Sequence, residues 1–143
     1  MQLVELIEDL KTQLKSAGGY KKVLYTQDFE RQKTVSKNMF PLGILDVGQV
    51  ILVESGSPNL LTTAQELIFR SIYPVTPSGV YKDTLETREA LLDAILSVLW
   101  GNKLTPVGEV NIQEVPQAEL GERLDSGYYG FDVFFTLEVK GEV

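Results

Sequence analysis

The chain has 143 residues, of which 43% are hydrophobic, and its formal net charge at pH 7 is −7. This length and composition are typical of one globular domain with its own core, so residues 1–143 are predicted to form a single domain. The chain has no cysteine and no histidine, which excludes disulfides, thiol nucleophiles, Ser-His-Asp triads and zinc sites built on those side chains. No stretch approaches the ~20 apolar residues of a membrane helix, and the start does not resemble a signal peptide. The cytoplasm is therefore the expected compartment, without a membrane partner.

The first predicted element is an amphipathic helix. Apolar residues recur at helical spacing over residues 3–14, acids come early, and Lys11 and Lys15 come late, as the helix dipole favours. Gly18 and Gly19 predict where this helix ends.

The next part of the chain is predicted to form strands. "KKVLYT" is a short strand, and "QDFERQKTVSKNMF" is predicted to be a loop because it shows little periodicity. "FPLGILDVG" and "QVILVES" are two apolar runs that meet at Gly48, and "LTTAQELIFRSIYPV" is a longer strand rich in β-formers. Ile68, Arg70 and Ile72 share one side of that longer strand.

The second predicted helix is "DTLETREALLDAILSVLWGN". Asp83 is predicted to be its N-cap, with Glu86 three residues on in the capping-box pattern. Gly101 is predicted to stop it, and Pro106 prevents it from resuming. Trp100 is interpreted as a core or capping anchor and not as a ligand-stacking residue.

A strand ("VGEVNIQEV"), an acidic connector ("PQAELGERLDSG") and a long closing strand ("GYYGFDVFFTLEV") complete the chain. The order of elements predicts an α+β domain. Its sheet is mostly antiparallel, with about five strands and two amphipathic helices packed on one face.

The closing strand carries aromatic residues on both faces. Residues 129, 131, 133, 135, 137 and 139 form an apolar face that the two helices are expected to cover. The opposite face carries Phe134 among mixed residues. Either another chain covers Phe134, since exposed apolar patches mark interfaces, or a loop of the same chain does.

Charge is unevenly distributed. Residues 109–143 hold eight acids and two bases, whereas residues 21–37 hold five bases and two acids. Such an acidic chain lacks the basic face that nucleic-acid binding needs. The acidic segment of one copy is expected to attract the basic segment of a neighbouring copy. The alternative is that both segments are solvated surface whose charges make no specific pairs. The predicted subunit interface comprises Tyr128, Asp132, Phe134 and Thr136 with Arg31, Lys33 and Lys37.

No catalytic, cofactor or metal site is predicted. Asp132 and Glu138 would stand ~20 Å apart on one strand, too far for a glycosidase pair. The glycine-containing turns lack a phosphate-binding pattern, and the acidic connector lacks the ligand spacing of an EF-hand.

Taken together, the order of elements resembles the tail-terminator, or tail-completion, proteins of long-tailed bacteriophages and the related minor tail proteins of prophages. The resemblance rests on "LVELIEDLKTQL", "LIFRSIYPV", "LETREALLDAILSVLWG" and the pair "GEVNIQEV" and "GYYGFDVFFTLEV", and it covers most of the chain. It implies a structural protein, not an enzyme, that needs no cofactor. Such a protein forms a ring, usually a hexamer, that caps the tail tube. Its partners would be the tail tube protein and a head-completion protein. It would be located in the virion tail, which is assembled in the host cytoplasm.

Two other functions remain open. One is a different adaptor of the head-tail connector. The other is a cytoplasmic binding module or a small enzyme that uses carboxylates or tyrosines.

Overall fold

The computed structural model describes residues 3–32, 37–53, 60–74, 81–104, 106, 111–115 and 128–142. The helices within them are α1 (Leu3–Gly18), α2 (Thr26–Glu30) and α3 (Tyr81–Gly101), with a 3₁₀ turn at Lys37–Met39. The strands are β1 (Lys22–Tyr25), β2 (Leu42–Val53), β3 (Leu60–Pro74), β4 (Asn111–Val115) and β5 (Tyr128–Glu142).

The strands form one open sheet in the order β1-β2-β3-β5-β4. β1 runs parallel to β2, and the other neighbouring pairs are antiparallel. The predicted α+β class with a mostly antiparallel sheet is confirmed. The two predicted helices are present as α1 and α3, but the helix count is incomplete, because α2 and the 3₁₀ turn form largely within the predicted loop. A helix of one turn shows no periodicity in the sequence, and its stability comes from packing.

The two apolar runs around Gly48 form a single strand, β2, with an irregularity where the sequence predicted a break. The register with β3 shifts between Val47 and Val50. The buried Gln65 side chain donates its amide to the carbonyl oxygens of Gly48 at 2.8 Å and Gln49 at 3.4 Å. Because the side-chain amide takes the place of ladder donors, the strand crosses the bulge without unsatisfied carbonyls.

α1 and α3 cover one face of the sheet, which we call the helix face. Ile7, Leu10 and Leu14 of α1 and Leu91, Ile95 and Leu99 of α3 pack with Leu45, Leu67, Phe69, Tyr73, Phe131, Val133 and Phe135 of the sheet. The predicted cover of the Phe131 side by the two helices is therefore confirmed. Burying each such side chain contributes about 1.5–3 kcal/mol relative to leaving it exposed.

Two tyrosines connect α1 and the segment after it to the sheet. The Tyr20 hydroxyl donates to the Ser71 hydroxyl oxygen at 2.8 Å, so both buried polar groups are satisfied. The Tyr25 hydroxyl donates to the Glu8 carboxylate at 2.6 Å. Burial raises the pKa of both hydroxyls above the ordinary tyrosine value, and for Tyr25 the hydrogen bond to Glu8 raises the pKa further.

α3 begins earlier than predicted and ends where predicted. It starts at Tyr81, so Asp83 lies in its first turn and is not the N-cap. Tyr81 and Lys82, directly before Asp83, are compatible with a helix, and Lys82 forms an i,i+4 ion pair with Glu86 at 3.7 Å that belongs to the helix. Gly101 is the last residue of the helix, as predicted, and the left-handed residue of the turn that follows is Lys103, at a φ of 59°.

The side chains packed against Gly43 leave no room for a larger residue at this position. A Cβ at Gly43 would lie 2.5 Å from the Phe69 ring and 3.1 Å from a Val23 methyl group. We expect Gly43→Ala to lower the free energy of unfolding by about 1–3 kcal/mol, because the extra methyl overfills the helix-face core. Urea denaturation measures this.

The matched control is Gly101→Ala. Apart from the chain neighbours and the backbone of its own helix, no heavy atom lies within 4 Å of a Cβ at Gly101, and alanine favours the helix, so this change should leave stability equal or raise it by up to about 1 kcal/mol. Equal effects of the two substitutions would contradict the packing assigned to Gly43.

Candidate interaction surface

The sheet face opposite α1 and α3, which we call the second face, is partly covered by the residues that the structure describes. The register places Leu42, Ile44 and Asp46 of β2, Ile68, Arg70 and Ile72 of β3, and Gly130, Asp132, Phe134 and Thr136 of β5 on it. At one end the chain covers its own sheet. Met39, the last residue of the 3₁₀ turn, and Phe40, which follows it, bury Leu42, Ile44, Ile72 and Tyr128.

Tyr128 belongs to this covered end. Its ring lies 4.4 Å from the ring of Phe40, centroid to centroid, and only 3% of the residue is exposed. The prediction of Tyr128 as a subunit contact is therefore corrected: the chain's own Phe40 occupies its surface. The sequence did not indicate this cover, because residues 26–40 have no regular pattern.

Beside the covered end, α2 and the sheet enclose a groove with a volume of about 380 Å³. Apolar side chains of α2, β2 and β3 face it together with acids and one arginine. The Thr26 hydroxyl donates to the Asp46 carboxylate at 2.9 Å, which holds the start of α2 to β2. The groove is lined by Thr26, Phe29, Glu30, Ile44, Asp46, Ile68, Arg70 and Asp132.

An ion pair crosses the groove floor between β3 and β5. Arg70 and Asp132 are register partners, and the Arg70 Nε donates to Asp132 Oδ1 at 2.9 Å. The side chains are 36% and 14% exposed. Asp132, predicted to pair with bases of a neighbouring copy, thus has a partner in its own chain. The sequence placed Arg70 on the correct side of its strand, but only the tertiary register brings it opposite Asp132.

The next register pair along the second face is apolar. Ile68 lies opposite Phe134, and both are half-buried. Thr136, also half-buried, lies opposite Glu66. The predicted residues Phe134 and Thr136 therefore share a surface with Ile68, which sequence reasoning did not select. The alternation of apolar and polar residues in "LIFRSIYPV" was the available signal.

The structure describes two of the three basic residues predicted for the subunit interface. Arg31 follows α2 and is exposed, and its backbone N–H donates to the Gln27 carbonyl at 3.2 Å. Lys37 begins the 3₁₀ turn. Lys33 lies outside the described residues. Arg31 is near the groove in sequence, since it directly follows the lining residue Glu30.

Within the described part of the chain, no group of three or more acidic side chains is arranged to hold a metal ion. Of the helices that the structure describes, none has both the length and the apolar character needed to cross a bilayer.

Comparison with known proteins finds a likeness among solved structures only. No protein-family model matches the sequence, and no curated protein matches it. Among solved structures, a chain of the "Virion of native gene transfer agent (GTA) particle" is similar, with a TM-score of 0.46 and 14% sequence identity. The match covers 90% of this chain and 84% of the virion chain.

Removal of the Asp132 charge tests the ion pair. We expect Asp132→Asn to lower the free energy of unfolding by about 1–2 kcal/mol, because a charge-assisted hydrogen bond on a half-buried floor becomes a weaker neutral one. Chemical denaturation measures the change.

Glu86→Gln is the control, because it removes an ion pair whose side chains are 79% and 61% exposed. Its effect should stay below about 0.5 kcal/mol. If both substitutions cost the same, the Arg70–Asp132 pair contributes no more than a surface contact.

Proposed function

We propose that this protein is a structural subunit that assembles with copies of itself through the second face. One observation carries the proposal: the apolar pair Ile68 and Phe134 lies in the middle of the sheet, and among the residues that the structure describes, the buried cluster on this face surrounds Tyr128 and includes neither of them. A half-buried Ile–Phe pair gains free energy when a second chain completes its burial.

The specific role proposed is that of a tail terminator of a phage-like particle, in line with the resemblance drawn from the order of elements. Copies would meet head to tail, and a rotation that closes gives a ring instead of an open filament. The ring would cap the tail tube protein and join it to a head-completion protein, within the virion tail. In this role the protein is not an enzyme, and its function is to form a ring of fixed size at the end of the tail tube.

A second candidate is a binding module for a small molecule. The groove volume of about 380 Å³ falls within the range of about 300–1,000 Å³ found for ligand pockets. Three acids and one arginine around an apolar floor would suit a ligand with a cationic group. This candidate requires no self-association.

Light scattering over a range of protein concentrations distinguishes the two. The structural role predicts a closed oligomer, near six copies, that grows from monomer as concentration rises. A protein that remains a monomer at every concentration would support the binding module and contradict the ring.

Phe134→Asp tests which face assembles. Placing a charge beside Ile68 should weaken assembly by more than about tenfold, since about 1.4 kcal/mol corresponds to that factor. The fold should survive, because Phe134 lies outside both buried clusters, and circular dichroism checks this.

Val4→Asp is the matched control. Val4 lies on α1, on the opposite side of the sheet, and is 68% exposed, so the same apolar-to-acid change there should leave assembly intact. Unfolding by Phe134→Asp would mean that this side chain belongs to the core.

A further inference from the structure

A bulky aromatic side chain stands exposed at the end of α3. Trp100 is 64% exposed, whereas Leu99 beside it is fully buried. The interpretation of Trp100 as a core anchor is therefore wrong, since the buried row Leu91, Ile95 and Leu99 turns it outward. Lys103, also exposed, follows three residues later. We call residues 100–103 the Trp100 tip.

Hydrogen bonds hold the tip in one conformation. The Leu104 N–H donates to the Leu99 carbonyl at 2.8 Å and the Lys103 N–H to the Trp100 carbonyl at 3.0 Å. These two bonds form a Schellman motif. The Asn102 amide also donates to Gln13 Oε1 of α1 at 2.8 Å. A side chain presented on such a pinned turn loses little conformational entropy when a partner binds it.

Lys103 occupies a backbone position that favours glycine. Its φ of 59° lies in the left-handed region, where a side chain is disfavoured. Strain of this kind is a reason to look for a function of the side chain. Here the side chain places a positive charge beside an exposed indole.

The groove on the second face has the complementary chemistry. Phe29, Ile44 and Ile68 give it an apolar floor, and Glu30 and Asp46 add negative charge beyond the Arg70–Asp132 pair. Its volume is large enough to hold an indole together with neighbouring side-chain atoms. An indole with a neighbouring ammonium group thus matches the groove in size, polarity and charge.

We infer that the Trp100 tip of one copy binds in the groove of the next copy, with Lys103 near Glu30. The tip belongs to the helix layer and the groove to the second face, so the sheet separates them within one chain. The contact is therefore between different surfaces of two copies, which is the head-to-tail kind that can close into a ring. This inference rests on the proposed self-assembly and names the residues that carry it.

The chain contains one tryptophan, so its fluorescence reports this contact directly. As the protein associates, the emission should shift to shorter wavelength and acrylamide quenching should fall, because the indole leaves water. Trp100→Ala should weaken assembly at least tenfold by light scattering. Val4→Ala, at a similarly exposed apolar site, should not.

Charge reversal tests the partner residue. Glu30→Lys and Lys103→Glu should each weaken assembly, and the double substitution in one chain should restore it. Lys103→Gly should give a chain more resistant to urea than the original, since glycine suits the left-handed position, yet weaker in assembly. If Lys103→Gly left assembly unchanged, the role given to the Lys103 ammonium would be overturned.

The outcomes separate this inference from the function on which it rests. An oligomer in which Trp100 stays accessible to acrylamide would overturn the tip contact and leave the ring standing. If Glu30→Lys abolished assembly in that case, another segment of the chain would occupy the groove. A strict monomer would overturn both.

Discussion

The pairing of β3 with β5 along their whole length is the interaction on which both faces of this protein depend. It sets Leu67 opposite Phe135 on the helix face and Ile68 opposite Phe134 on the second face. A slip by one residue would exchange the two faces, because side chains alternate along a strand. The buried helix-face core fixes this register. The register in turn places Arg70 against Asp132.

The two faces are completed in different ways. On the helix face, two amphipathic helices supply enough apolar area to cover the sheet from Leu45 to Phe135. On the second face, within the described part of the chain, one short helix and a 3₁₀ turn cover the end around Tyr128. The Arg70–Asp132 ion pair stands between this covered end and the half-buried Ile68–Phe134 pair. A charged pair at this boundary tolerates water on one side, as its 36% and 14% exposures show.

The tip of α3 and the groove under α2 relate the fold to the proposed assembly. The first presents an exposed aromatic residue and a base on a pinned turn, and the second an apolar floor with excess acid. Because they lie in different layers of the same domain, each copy would use one surface for each neighbour. Closure of such contacts requires a fixed rotation between copies. The hydrogen-bonded turn at Trp100 and the groove on the sheet are both rigid, so a contact between them would set one rotation between neighbouring copies.

The sequence by itself determined the α+β class, the existence of α1 and α3, and the helix-facing side of β5, because helical and strand periodicities are local properties of the chain. It also located the irregularity at Gly48, although as a break and not as a bulge. Of the candidate surface, it supplied Phe134, Thr136 and Asp132. The cover over Tyr128, the partner of Asp132, the groove under α2 and the exposure of Trp100 were decided by the tertiary structure. Each depends on which distant residues meet across the sheet. One-turn elements such as α2 form only where the rest of the fold provides a surface for them.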